Sequence, residues 1–323
     1  MSVVFNIIST VNGMENEGMR NIASHMIREF DGMCTVRTSP LNDPVRCIKN
    51  TIGADAVLIF ARASAKTAYL ARALHLLCKK VYFILVQKPE PAFISKMGNA
   101  VKKLGYFTIL PKDGEELAAC DAEVHHLYVG INTDKFRPAE SRNEILDLRR
   151  KYGVDPELPL VVHVGHLSEG RGLEKFLHLP KERYSRLIVA SGMFNSDEVE
   201  SKLMADGVTI IKEYLPDVSE IYRMADVYLF PTRSAEFVIS IPLSVMESLA
   251  CGTPVVSFDG VGGIDVIRTA EDDALVKLND SADLEAAVTE TALRYKDNCR
   301  NLLRDAVTWH DSAVQLYGEI NNK

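Results

Sequence analysis

The chain has 323 residues, 47% hydrophobic and 25% charged, and a formal net charge of -7. That length exceeds what one ordinary core supports, so two domains of roughly 150 residues each are expected. The negative balance argues against a dedicated nucleic-acid binder, no apolar run approaches the ~18 residues of a membrane span, and Val3–Ile8 is too short and too poor in basic flanks for a signal peptide.

In chain order, short β-branched runs predict strands at Val3–Ser9, Cys34–Thr38, Ala56–Ala61, Val81–Val86, Tyr106–Leu110 and His125–Val129. Apolar residues three and four apart place helices between them, at Gly18–Phe30, Ala65–Cys78 and Pro91–Leu104. The second half repeats the habit, with strands at Pro159–Val164, Arg186–Ala190, Val208–Ile211, Val227–Phe230 and Pro254–Phe258. Its helices are expected at Leu173–Leu177, Val199–Ala205, Val218–Met224 and Leu243–Ala250. Continuous apolar strands alternating with helices indicate parallel sheets covered on both faces, hence an α/β class with two Rossmann-like, doubly wound domains. The break at Gly130-Ile131-Asn132 and the Phe136-Arg137-Pro138 sequence put the join near 137/138, giving domains 1–137 and 138–308. Ligands of such sheets bind beyond the carboxyl ends of the strands, and two facing sheets can share one cleft. Six scattered cysteines without a C-x-x-C pair read as reduced thiols of a cytoplasmic protein, with no disulfide or zinc framework.

Ser240–Pro254 carries the densest signal. Ser240 can cap a helix, Pro242 suits its first turn, Gly252 ends it and Pro254 forbids continuation. Glu247 falls inside that helix among Leu243, Met246 and Ala250. Two readings stand from the pattern alone: a solvated helical glutamate, or a buried carboxylate that a pair of ligand hydroxyls would satisfy.

Tyr214–Pro231, with Tyr222, Ala225, Asp226 and Pro231 in place, followed by Met246-Glu-Ser-Leu-Ala-Cys-Gly-Thr-Pro-Val-Val256, resembles the signature of glycosyltransferase family 4, the retaining GT-B enzymes. Gly262-Gly263-Ile264-Asp265 resembles the family's following "GG..E". Weaker echoes are Tyr128–Pro138, similar to its "NGiD...F.P" crossover, and Val164–Gly172, similar to "G-R-L-x-x-x-K-G". The resemblance implies a GT-B fold and transfer of a sugar from a nucleotide-sugar donor to a hydroxyl acceptor, a glycan or lipid-linked glycan. It implies that Glu247 binds the donor ribose and that Arg171 stands where the family's lysine neutralises the donor diphosphate. Gly165, Gly262 and Gly263 would lie against the donor, and His166 replaces the family's arginine in the diphosphate clamp. Ile239 occupies the position of the family's first glutamate, eight residues before Glu247. A small insertion would return Glu236 to the sugar subsite; equally, Glu236 is a solvated loop charge.

The transfer itself breaks a sugar–phosphate bond, with negative charge growing on the leaving phosphate, so cations and backbone amides supply the stabilisation. Arg171 and the amides around Gly170–Gly172 and Gly262-Gly263 suffice for that, and no metal or other cofactor is expected; the chain has no Asp-x-Asp. In the first domain, the loop Asn12–Gly18 sits where the family keeps its glycine-rich loop, which makes Gly13 and Gly18 weak phosphate-loop candidates against a plain strand–helix turn. His75, His125 and His126 read as structural. The Pro91–Leu104 face, with Phe93, Met97, Val101 and three lysines, is either a core-packing helix or a peripheral contact with the cytoplasmic membrane face. The last segment, 309–323, resembles the terminal helix that returns to the first domain in GT-B enzymes. Against the transferase reading, the Ile239 and His166 departures fit a catalytically weak module that binds a nucleotide, a glycan or a partner.

Overall fold

Runs such as Val81-Tyr-Phe-Ile-Leu85, apolar on both faces, form strands only where helices cover both sides of a sheet. In a computed structural model of the chain, which describes residues 3–10, 18–190, 196–279 and 281–322, they do so twice. The chain divides into two compact units: Met1–Gly130 with Ile239–Ile241 and Val307–Lys323, and Ile131–Val238 with Pro242–Ala306.

In the first unit the strands are β1 (Val4–Ser9), β2 (Thr35–Pro40), β3 (Ala56–Ile59), β4 (Val81–Leu85), β5 (Gly105–Thr108) and β6 (Glu123–His126). They form one parallel sheet in the order β2-β1-β3-β4-β5-β6. The helices are α1 (Gly18–Glu29), α2 (Pro44–Thr51), α3 (Ala65–His75), α4 (Pro91–Met97) and the single turn α5 (Glu115–Ala118). Buried Asn6 in β1 ties α2 to the sheet: its Nδ2 donates to Thr51 Oγ1 at 2.9 Å and to the Cys47 carbonyl at 3.2 Å, and Ser39 Oγ donates to its Oδ1 at 2.8 Å. Every polar atom of that buried amide is satisfied, which is what makes its burial tolerable.

The second unit contains α6 (Arg142–Lys151), β7 (Leu160–Gly165), β8 (Ser185–Ala190), α7 (Asp197–Ala205), β9 (Thr209–Ile211), α8 (Ser219–Met224), β10 (Val227–Phe230), α9 (Leu243–Ala250), β11 (Val255–Phe258), β12 (Leu275–Leu278) and α10 (Leu284–Arg294). Its parallel sheet runs β12-β11-β10-β7-β8-β9. The order reverses between β7 and β10, which opens a crevice beyond their carboxyl ends. A buried ion pair braces this sheet from behind. Arg149 Nη2 lies 2.6 Å from Asp226 Oδ2, Arg149 Nε donates to the Met224 carbonyl at 3.0 Å, and the Leu160 amide donates to the same Asp226 oxygen at 2.6 Å. Burial raises the Asp226 pKa while Arg149 pulls it down. Arg149→Met would leave a buried carboxylate without its cation; urea unfolding should show a loss of about 3–5 kcal/mol, as for other broken buried pairs.

The chain returns to the first unit with α11 (Trp309–Asn321), started by a capping box between Thr308 and Asp311. Trp309 stacks on His25 at 4.5 Å, Gln315 Nε2 donates to the His126 carbonyl at 2.7 Å, and Lys80 Nζ donates to the Ile320 carbonyl at 2.9 Å.

Several expectations need correction. The expected single helix Pro91–Leu104 is broken at Gly98 (φ +50), while Phe93, Met97, Val101 and Leu104 are all core, as the core-packing reading of that face has it. The sixth strand lies at Glu123–His126, earlier than expected, and α2, α10 and β12 were not anticipated. Ser240 does not cap α9: Pro242 occupies the N-cap position, and Ser240 Oγ hydrogen-bonds Asp113 instead, while its amide donates to the Val86 carbonyl at 2.8 Å. Gly13 and the rest of the 11–17 loop lie outside the described residues. Gly18 opens α1, where an added Cβ would come within 2.7 Å of Ile239 Cδ1. The glycine there makes room for an apolar contact.

Candidate functional site

Three loops follow the carboxyl ends of β7, β10 and β11 in the second unit, and glycines let their backbones meet. An added Cβ at Gly172 (φ +73) would lie 2.5 Å from the Pro231 carbonyl oxygen, and one at Gly260 (φ +119) would lie 2.2 Å from that of Arg233. At Gly170 (φ +80) the Phe237 ring would be 2.4 Å away. These φ values are disfavoured for residues with a Cβ, and the space is filled besides. Gly172→Ala is therefore expected to cost about 1–3 kcal/mol in urea unfolding, with Arg171 displaced as a consequence.

Arg171 is held in this junction by its own backbone, its carbonyl accepting from Thr232 Oγ1 at 3.3 Å. Its side chain is only 8% exposed. Among the described residues no carboxylate lies within ion-pair distance of the guanidinium, and its Nε has no hydrogen-bond partner. Burial pulls its pKa down, and the Tyr228 phenol is the neighbour that opposes the shift. A buried cation is normally paired, so one without a carboxylate among the described residues, at a switch point, has the chemistry to accept an anion.

His163, fully buried two residues before Gly165, shares that environment. Its Nδ1 donates to the Leu229 carbonyl at 3.0 Å, which leaves the Nε2 lone pair without a partner among the described residues. Burial, with the charge of Arg171 added, lowers its pKa to about 3, so the ring is neutral. Gly165 is needed above it, since a Cβ there would sit 2.9 Å from His163 Nε2. The ring stacks on Tyr228 at 5.7 Å, and the Tyr228 hydroxyl donates to the Val164 carbonyl at 3.2 Å.

Glu247 lies on α9, on the other flank of this group. Its carboxylate accepts from the fully buried Tyr222 hydroxyl at 3.2 Å. The residue keeps some solvent contact, yet burial dominates and raises its pKa to about 7; Tyr222 and the Lys135 charge oppose that shift. α9 is stopped as its sequence suggested, with Gly252 in the left-handed region (φ +85).

Of the other residues singled out from the sequence, His166 sits half-buried just beyond β7, and Gly262 and Gly263 open the 3-10 turn Gly262–Val266 that follows β11. Glu236 is exposed on the short turn Ala235–Phe237, its amide bonded to Ser234 Oγ at 3.3 Å, and it reaches the Gly170 turn only through its neighbour Phe237. Ile239 belongs with Ser240 and Ile241 to the first unit. Sequence reasoning missed His163, Tyr222 and Tyr228 as members of the group. The one signal for His163 was a polar residue inside an otherwise apolar strand. Among the described residues no group of three or more His, Cys, Asp or Glu side chains could hold a metal ion.

Comparison with known proteins places this arrangement. The family profile described as "Glycosyl transferases group 1" matches residues 159–293. The match covers less than half of the chain. The matched residues contain β7 through β12, and with them Arg171, His163 and Glu247. The chain is 29% identical over 185 residues to a sulfoquinovosyl transferase of Arabidopsis thaliana, covering 55% of this chain and 33% of that protein. It is 29% identical over 196 residues to a D-inositol 3-phosphate glycosyltransferase of Actinosynnema mirum, covering 54% and 45%. The matched stretch thus spans less than half of either relative's own length. Among solved structures, HepE of Anabaena in complex with UDP-glucose aligns with a TM-score of 0.73 over 99% of this chain and 97% of its own, at 11% identity. WaaG, a glycosyltransferase involved in lipopolysaccharide biosynthesis, aligns with a TM-score of 0.71 over 99% and 100%, at 14% identity. The fold of the chain is the GT-B fold of these glycosyltransferase structures.

Proposed function

We propose that the chain is a retaining glycosyltransferase of family 4 that takes a sugar from a nucleoside-diphosphate sugar and passes it to a hydroxyl of a glycan or lipid-linked glycan. The observation that carries this reading is Arg171: a buried guanidinium without a carboxylate among the described residues, at the reversal point of the sheet, inside the stretch matched by the group 1 profile. A diphosphate is the partner that a planar, forked cation fits best. Glu247 would accept the two ribose hydroxyls of the same ligand, which its ionised form does well.

In this reading the bond from the anomeric carbon to the donor phosphate oxygen breaks as the acceptor oxygen bonds that carbon from the same face. The acceptor proton passes to the departing phosphate oxygen. Arg171 and the amides of the Gly262–Val266 turn receive the charge that grows there, so the chemistry requires no divalent ion. Relatives point the same way: HepE is described with UDP-glucose, and the curated relatives are named as glycosyltransferases.

One observation favours a second reading, a nucleotide- or glycan-binding module with little turnover. Ile239 stands at the position of the family's first glutamate and packs against Gly18, while Glu236 is exposed. Calorimetric titration with UDP, GDP, ADP and TDP tests the binding claim common to both: one of them should bind, and Arg171→Met should abolish it. No binding by any of them would remove the basis of the transferase reading and of a nucleotide-binding module, leaving only a glycan-binding one.

A further inference from the structure

We infer that Tyr222 is the positioning residue for Glu247: its buried phenol anchors one carboxylate oxygen and so leaves the other to receive ligand hydroxyls. The inference rests on the nucleotide-binding reading of Glu247 above, and it adds the residue through which that carboxylate is aimed.

Tyr222 stands in the signature that the sequence resembles, yet neither the resemblance nor the transfer chemistry gives it a part. Its side chain is fully buried, and its ring is fixed by Tyr228, edge-on at 5.6 Å, and by Phe136 at 6.1 Å. From α8 its hydroxyl donates to Oε2 of Glu247, 25 residues further along the chain, at 3.2 Å. Among the described residues no other group hydrogen-bonds that carboxylate. α8 and α9 are tied together a second time just beyond the last turn of α9. Thr253 Oγ1 donates to the Tyr222 carbonyl there, and Cys251 Sγ to the Ser219 carbonyl at 3.9 Å. Tyr222 is thus held by its backbone at one point and holds Glu247 by its side chain at another. A glutamate on a helix has several free torsions, and one that is not anchored must be ordered by its ligand at a cost in affinity.

The chemistry of the pair gives the anchor one direction. Burial, and after it the charge of Glu247, pushes the Tyr222 pKa well above the usual phenol range, so the hydroxyl is a donor at any working pH. The other titratable groups facing Glu247 are Tyr228 from β10, Cys251 from the end of its own helix and Lys135 from the segment before α6. Burial keeps the Tyr228 phenol and the Cys251 thiol neutral. The Tyr222 hydrogen bond and the Lys135 charge are therefore what offset the burial of the carboxylate, and without that bond Glu247 would ionise only at higher pH.

Calorimetric titrations with UDP, GDP, ADP and TDP from pH 6 to 9 test this on the wild type, Tyr222→Phe, Glu247→Gln and the double variant. For the nucleotide that the wild type binds, Tyr222→Phe should bind about tenfold more weakly at pH 8, and its rise in affinity with pH should come about one pH unit later. Glu247→Gln should show no such rise. Adding Tyr222→Phe to it should weaken binding by less than about twofold further, because Tyr222 acts through the carboxylate. The phenylalanine deletes one oxygen and keeps the ring packing, so circular dichroism should match the wild type. The inference is overturned if Tyr222→Phe binds with the affinity and pH dependence of the wild type, or if it weakens binding equally with and without the Glu247 carboxylate; either result leaves the nucleotide reading of Glu247 standing. A wild type that binds none of the four removes that reading, and the inference with it.

Discussion

Replacing Glu247 with Gln is expected to weaken nucleoside-diphosphate binding about 10–100-fold at pH 8 while making the ligand-free protein more stable by about 1–3 kcal/mol. The two effects share one cause. Burial raises the Glu247 pKa from 4.5 to about 7. Below pH 4.5 the group is protonated in both folded and unfolded chains and contributes no slope. Between 4.5 and 7 the folded chain binds the extra proton, so stability falls as pH rises through that window, and above 7 the full cost of a buried charge is present. Gln carries no such charge and should flatten the slope. Ligand binding runs in the opposite direction, because the hydroxyl-accepting carboxylate forms only as pH rises through about 7. Thermal melts of both proteins from pH 4 to 8, with nucleotide titrations across the same range, would expose the crossing slopes. Parallel slopes, or a Gln variant less stable at pH 8, would mean that Glu247 is a structural residue.

Arg171→Met should behave the same way for the opposite charge. Loss of one charged donor aimed at a phosphate typically costs 10²–10³ in transition-state binding, about 2.7–4 kcal/mol. The ligand-free protein should lose nothing, and urea unfolding should show an equal or higher midpoint, because the methionine replaces a buried cation that has no carboxylate among the described residues with an apolar side chain of similar length. Arg171→Lys keeps the charge but not the fork, and should fall between the two. A large loss of stability in Arg171→Met would show instead that the guanidinium holds the loop junction together.

The contrast between these residues marks what the sequence could and could not convey. The apolar runs of β4, β7 and β10 are legible because strands buried on both faces leave no room for alternation. β12, Leu275-Val-Lys-Leu278, was hidden by its lysine and by the acidic Glu271-Asp-Asp273 before it. α2 was hidden by its length, eight residues with two of them buried. The Ser240 cap failed for a tertiary reason, since Asp113, distant in sequence, takes the hydroxyl. Gly252 succeeded because the left-handed turn is a local requirement. The site divides along the same line. Glu247 and Arg171 were named through resemblance, but nothing local in the sequence says that one guanidinium is buried without a carboxylate among the described residues. That depends on which loops converge, as does the presence of His163, which looks from the sequence like one more strand residue.

Turnover of nucleoside-diphosphate sugars by the wild type and by Arg171→Met and Glu247→Gln tests the central claim most directly. A UDP-, GDP-, ADP- and TDP-sugar panel should include one donor from which the wild type releases free nucleotide, by transfer or slow hydrolysis, with the anomeric configuration kept in the product. Both variants should lose most of that rate while remaining folded. Tight nucleotide binding with no turnover of any donor would contradict the transferase account and leave a binding module, and turnover indifferent to both substitutions would contradict the site itself.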